Sequence, residues 1–394
     1  MSDQNIVIVS AKRTPIGAFL GALSPVSATD LGAAAARAAI EAAGIKPSDI
    51  QETILGCVLS AGLGQGPARQ AALGAGVPVT IPATTVNKLC GSGAKSIMMA
   101  CDQIRAGDVD VILAGGMESM SNAPYLLPKA RSGYRMGHGE VIDHMFRDGL
   151  NSPFDGQPMG VFADRTAAKY GFSRADQDAF ATESVKRALR AIEGGDFVNE
   201  ITAITVKGRK GETIVGKDES PFNCDVNKIP NLKPAFGKDG TVTAASSSSI
   251  NDGAAAVVLM RESVAIARGL KPLARVLAYA SNAQEPEWFT TAPSGSIRKT
   301  LAKLGWKATD ADLYEINEAF ACVTMAAMRD LDIDASRVNV NGGGCALGHP
   351  IGATGARLIT TLVHALHRRN IKRGIASMCI GGGEAVAIAV EKWS

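Results

Sequence analysis

The chain has 394 residues, 46% hydrophobic and 20% charged, a globular balance with room for two or three packed domains that excludes a disordered or fibrous protein. Against 38 acidic side chains stand 41 basic ones, a formal charge of +3, which excludes the one-sided charge of a nucleic-acid binder or a polybasic membrane protein. No apolar stretch approaches the roughly 20 residues that span a bilayer, and seven cysteines, an odd number without zinc-type pairing or a secretory signal, predict a soluble protein of a reducing compartment, the cytoplasm, with no structural metal.

In chain order, residues 1–5 lead straight into the apolar run Ile6-Val7-Ile8-Val9, a strand buried on both faces. An Ala-rich stretch of helical length follows at 28–43. Next come Val86-Asn87, a short loop, Cys90-Gly91-Ser92-Gly93, a helix over 93–106, the strand 111–114 and then Gly115-Gly116-Met117-Glu118. Cys90 thus stands on a glycine-bounded turn at a helix start, where unpaired N–H groups and the helix dipole favour a thiolate. For an arbitrary cysteine a buried structural role is the better reading; the flanking glycines, the helix start and Asn87 three residues earlier reverse it.

Over 121–245 the rhythm changes. Lys207 to Gly211, Pro221, Pro230, Pro234 and 237–240 mark turns, while the helical stretch 173–192 argues for a folded insertion, a lid or substrate-binding region, over a linker. The α/β alternation returns in the strand runs 254–259 and 273–278, the helix 292–304 and the strand 313–316. Asn317-Glu318-Ala319-Phe320 then places an amide and a carboxylate at a strand-to-helix turn, where Asn317 either fixes a water or an oxyanion or serves as an N-cap.

The last segment repeats the first: Val340-Asn341, a glycine loop, His349-Pro350-Ile351-Gly352, a helix over 357–369, the strand 375–380 and Gly381-Gly382-Gly383-Glu384. Two similar α/β halves each present one reactive loop. His349, in a loop of small residues, suits a base that draws a proton from a thiol; His138, His144, His364 and His367 read as ordinary surface or core residues. Cys379 ends its strand, where ligands of α/β sheets gather and where the following glycine amides form a donor nest. None of the glycine loops has dinucleotide or P-loop spacing.

Together, Asn87-Lys88-Leu89-Cys90-Gly91-Ser92-Gly93, Asn317-Glu318-Ala319-Phe320, Gly348-His349-Pro350-Ile351-Gly352 and Cys379-Ile380-Gly381-Gly382-Gly383 resemble four segments of the thiolase family, in the same order and over essentially the whole chain. The resemblance implies duplicated α/β halves, layered α-β-α-β-α, with an inserted loop domain. Their bounds are 1–120, completed by about 246–271, then 121–245 for coenzyme A (CoA) binding and oligomerisation, and 272–394.

The activity implied is reversible Claisen condensation of two acetyl-CoA to acetoacetyl-CoA and CoA, with broader-chain 3-oxoacyl-CoA thiolysis as the alternative. Cys90 would carry the acyl group after losing its proton to His349, and Cys379 would be the second acid/base. One oxyanion site would be His349 with a water on Asn317, the other the amides of Cys90 and Gly381. The CoA arm would pass Leu150, Met159, Ala235, Phe236, Ala244 and Ser248 and meet Ala319 and Phe320. CoA esters are then substrates, with no cofactor and no metal.

Some positions depart from the family pattern. Pro158-Met159-Gly160 stands where many short-chain members have His-Met-Gly, and four serines, 246–249, replace an Asn-Ala-Ser-Gly turn. Phe222 stands where some relatives have an arginine, which leaves phosphate anchoring to Lys228 or Lys233. Residues 119–146 match the family's tetramerisation loop, so a homotetramer is expected before a dimer. A 3-oxoacyl synthase would lack Cys379, and a non-catalytic acyl-CoA carrier would have lost Cys90, His349 or Cys379; all three are present.

Overall fold

The structure is a computed structural model that describes residues 5–208 and 211–393. Apolar runs of Val, Ile, Leu and Ala fold as strands covered on both faces. Val111–Ser119 is buried at every position and Asn251–Arg261 at all but its last.

From edge to edge the sheet runs Ala83–Val86, Glu52–Gly56, Val111–Ser119, Asn251–Arg261, Ile6–Arg13, Ala274–Ala283, Glu384–Lys392, Arg373–Ile380 and Leu313–Ile316. In the first half the first three strands are parallel and the next two antiparallel. The second half repeats this outward order, with Leu313–Ile316 parallel to Arg373–Ile380 and the inner strands antiparallel. Its counterpart of Ala83–Val86 is reduced to a single parallel bridge, Tyr314 to Val338. Among the described residues, strands of the two halves pair from Ile6 opposite Val276 to Ile8 opposite Ala274.

The helices Ser92–Ala106 and Thr354–Arg369 lie together between the strands of both halves in the largest apolar cluster. They approach backbone to backbone, since a Cβ on Gly93 would come 2.8 Å from the Ala356 nitrogen. Ala28–Ala42 and Pro67–Gly74 cover the outer face of the first half, Ala292–Leu304 and Ala321–Leu331 that of the second. The result is the layered α-β-α-β-α order expected.

Several strands outrun their sequence reading. The run at 6–9 extends to Arg13, and the strand read over 111–114 continues through Gly115 and Gly116 to Ser119. Gly116 stays in the strand because any side chain there would strike the histidine loop; its Cβ would lie 2.0 Å from Gly352 O.

The insertion carries the helix Arg174–Glu193, started by a Ser173/Asp176 capping box, and a second helix, Met159–Tyr170, that pattern alone did not flag. Ile204–Gly208 and Gly211–Val215 form a hairpin. Arg209 and Lys210, in the turn read there, lie outside the described residues, as do residues 1–4 and Ser394. Buried Arg13 fastens the insertion to the first strand through Glu200, at 2.6 Å, and Asp218, at 2.7 Å. Breaking such a pair from one side typically costs about 3–5 kcal/mol. His364 and His367 are structural, each within 2.9 Å of a backbone carbonyl, of Ala11 and Leu273 respectively. Among the described residues no helix is long and apolar enough to cross a membrane, and no three side chains are grouped to hold a metal ion.

Candidate active site

Cys90 sits in the turn between Ala83–Val86 and Ser92–Ala106. The turn is tightly made: Leu89 takes a left-handed φ of 47°, the Ser92 hydroxyl donates to Leu89 O at 2.6 Å, and Lys88 N donates to that hydroxyl oxygen at 2.9 Å. A left-handed leucine is uncommon and is held here by these bonds. The backbone amides of Gly381 and of Cys90 itself favour the charged form of the thiol, and a Cβ on Gly381 would come 3.3 Å from the Leu89 side chain, so the second half's glycine loop reaches across to the first half's turn.

His349 is buried, with its amide 3.1 Å from Asn251 Oδ1. Its Nδ1 is 2.6 Å from Thr354 Oγ1, while Nε2 has no partner among the described residues. Cys379, next to last in Arg373–Ile380, is buried. These three side chains and Gly381 line one cavity of about 220 Å³.

Asn317 is fully buried and is not an N-cap, because the following helix begins only at Ala321 with Phe320 in the cap position. Its backbone N–H donates to Ser377 O at 2.9 Å, and both ends of its side chain lack partners among the described residues, which leaves them to a water or a substrate oxygen. Glu318 beside it is structural. It accepts from Ser184 at 2.6 Å, Asn339 at 2.8 Å and the Cys345 amide at 3.1 Å.

Of the CoA positions, Leu150, Met159, Phe236, Ser248, Ala319 and Phe320 line the cavity. Ala235 and Ala244 do not; both are exposed, on segments whose neighbours Phe236 and Ser247 do. Phe222 is exposed, and Lys228 is paired with Asp225 at 3.4 Å. Sequence reasoning missed Phe146, Phe289 and Ile351, which also line the cavity. Phe289 packs edge-on against Phe320 at 6.5 Å, and Phe320 against Phe236 at 5.9 Å. These phenylalanines stand far apart in the sequence and meet only in the fold, so no local signal marked them.

It also missed a reciprocal brace. Buried Glu118 accepts from the Val58 and Leu59 amides, each at 3.1 Å, and from Gly352 N at 2.9 Å. Burial pushes this carboxyl up to about 7, against the pull of those amides. Its repeat counterpart, Glu384, pairs with Lys88. Each half therefore uses its glutamate to hold the other half's reactive loop.

The electrostatics correct one expectation. The helix start was expected to favour a thiolate, but burial dominates and pushes the Cys90 thiol up to about 11, although the two amides pull the other way. Burial, with Arg357 adding to it, holds His349 down to about 3. Cys379 is raised well above an ordinary thiol by burial and then by Cys90 and Cys322 nearby. The resting Cys90 and His349 are thus both neutral, and charge separates only as a substrate is attacked. Alkylation of Cys90 by iodoacetamide, followed by peptide mass spectrometry, is expected to keep accelerating beyond pH 9 in the free protein. A plateau near pH 7 would mean a preformed thiolate.

Known proteins can be set beside this geometry. The family models of the thiolase N-terminal and C-terminal domains match residues 6–263 and 270–392. The chain is 50% identical to an acetyl-CoA acetyltransferase of Pseudomonas aeruginosa, covering 99% of this chain and 100% of that protein. It is 49% identical to one of Escherichia coli, covering 99% of each. The crystal structure of Acat5 thiolase from Ascaris suum in complex with coenzyme A superposes with a TM-score of 0.93 at 42% identity, over 98% of this chain and 100% of that one.

Proposed function

The chain belongs to the thiolase family and is an acyltransferase, and from that premise we propose an acetyl-CoA C-acetyltransferase working through an acyl thioester on Cys90. The observation that carries the reading is that Cys90, His349, Cys379 and Gly381 line a single cavity.

In thiolysis Cys90 Sγ attacks the 3-oxo carbon of acetoacetyl-CoA and its proton passes to His349 Nε2. The C2–C3 bond breaks, and the departing acetyl-CoA carbanion takes the Cys379 proton. An incoming CoA thiol returns a proton to Cys379 and attacks the acyl group; Cys90 leaves as thiolate and is reprotonated by His349. Condensation is the reverse. Every proton is accounted for by side chains and CoA, so the scheme calls for no cofactor or metal.

The amides of Cys90 and Gly381 would stabilise the oxyanion of the acyl-enzyme steps, and His349 Nε2 with a water on Asn317 that of the thioester enolate. The CoA arm enters past Leu150, Met159, Phe236 and Ser248, with Ala235 and Ala244 on the outer approach. Chemistry by two free thiols suits a reducing compartment, the cytoplasm. Assembly as a homotetramer is supported by the 119–146 excursion, where Tyr125, Leu127, Val141 and Met136, the last 96% exposed, offer apolar surface to another copy.

Phenylalanines 236, 289 and 320 wall the cavity and favour a short acyl group, so acetoacetyl-CoA is the preferred substrate. Thiolysis of acetoacetyl-CoA and of a six-carbon 3-oxoacyl-CoA by the purified protein tests this. Wild type should favour the shorter ester, and Phe289→Ala should raise the six-carbon to four-carbon kcat/KM ratio by about 10-fold. A protein that binds both esters and cleaves neither would be a carrier. A Phe289→Ala ratio equal to wild type would remove Phe289 from the acyl wall.

A further inference from the structure

We propose that Thr354 is a positioning residue that holds His349 in the tautomer with hydrogen on Nδ1, so that Nε2 faces the cavity as a free base. The inference rests on His349 being the base for Cys90. It comes from the bookkeeping of one hydroxyl group.

Thr354 is fully buried at the first position of Thr354–Arg369. Its Oγ1 lies 2.9 Å from Pro350 O, four residues back, and 2.6 Å from His349 Nδ1. A carbonyl oxygen only accepts, so the single hydroxyl hydrogen lies on the Pro350 side. The oxygen lone pairs that remain face Nδ1, which must then be the donor. Hydrogen on Nδ1 leaves the lone pair on Nε2, the ring nitrogen with no partner among the described residues, at a cavity that Cys90 also lines.

The arrangement serves both states of the ring. Neutral His349 and the imidazolium formed when Nε2 takes the Cys90 proton each keep hydrogen on Nδ1, so the Thr354 oxygen accepts throughout the cycle without rotating. The charged group acting on the ring is the buried Arg357 guanidinium, three residues further along the same helix, which opposes protonation. A hydrogen-bond acceptor at Nδ1 offsets part of that opposition. The reverse tautomer would point an N–H at the thiol and could not accept its proton.

Thr354→Val keeps the shape and removes the acceptor, whereas Thr354→Ser keeps it. Rapid-quench acetylation of Cys90 by acetyl-CoA, read by mass spectrometry, is expected to slow about 10- to 100-fold in Thr354→Val. The acetyl-CoA concentration for half-maximal rate should change less than about twofold, and Thr354→Ser should stay within about threefold of wild type. Nitrogen-15 spectra of histidine-labelled wild type should show His349 protonated on Nδ1, a readout that does not depend on either variant folding. Acetylation of Thr354→Val at the wild-type rate, or a wild-type spectrum with hydrogen on Nε2, overturns the assignment of Thr354 alone. Wild type that gains no acetyl group on Cys90 at all removes the premise as well.

Discussion

Cys90→Ser is expected to lose thiolysis of acetoacetyl-CoA by on the order of 10⁴-fold or more, because a triad-type nucleophile is worth that much when removed from an otherwise intact site. A hydroxyl holds its proton more tightly than the thiol, and His349, held down to about 3, is too weak a base to take it without the substrate's help. The variant should still fold. The turn is secured by Ser92 and Leu89, and serine keeps nearly the volume of the Cys90 side chain, which lines the cavity and packs at the edge of two apolar clusters. An unchanged melting curve and retained CoA binding, measured beside the rate, separate lost chemistry from lost structure. Activity within tenfold of wild type would rule out Cys90 as the nucleophile.

Cys379→Ala should separate the two halves of the reaction. General acid–base groups contribute about 10²- to 10⁴-fold, so condensation and thiolysis should fall by up to 10⁴-fold, while acetyl transfer from acetyl-CoA to Cys90 continues more slowly, since His349 still takes the Cys90 proton and the departing CoA thiolate, deprived of the Cys379 proton, takes one from water. The acetyl-enzyme should therefore accumulate in Cys379→Ala. Burial raises the Cys379 thiol well above its usual range, which suits a group that returns a proton to carbon rather than one that attacks it. If the variant also failed to acetylate Cys90, the division of labour between the two cysteines would be wrong.

Much of the scaffold was legible because the chain is locally consistent. Residues 292–304 are a helix to the residue, and Ser173 starts its helix with the capping box its sequence advertises. The duplicated grammar located the two loops that meet at the cavity. What escaped notice depends on partners far apart in sequence. Gly115 and Gly116 lie past the strand read over 111–114, and their place in it shows only once Ala255 is packed against the first and Gly352 against the second. Glu118 looks like the end of a glycine turn until Val58, Leu59 and Gly352 aim their amides at it. The thiolate expected at Cys90 followed from a local rule about helix starts, and the enclosing cavity overrode it. Asn317 capped no helix, because the helix begins four residues later.

The reciprocal brace also gives the duplication a physical meaning. Glu118 beneath the histidine loop and Glu384 against Lys88 tie each loop to the opposite half, in addition to the bonds that the Cys90 turn makes within its own.

The central claim is an acyl group carried on Cys90. Protein mixed with acetoacetyl-CoA alone, quenched in acid and mapped by peptide mass spectrometry tests it most directly. The account predicts one acetyl group, on the peptide containing Cys90, and its loss when CoA is added before the quench. An acetyl group on another residue, or turnover with no acetyl-enzyme at any time, would contradict it.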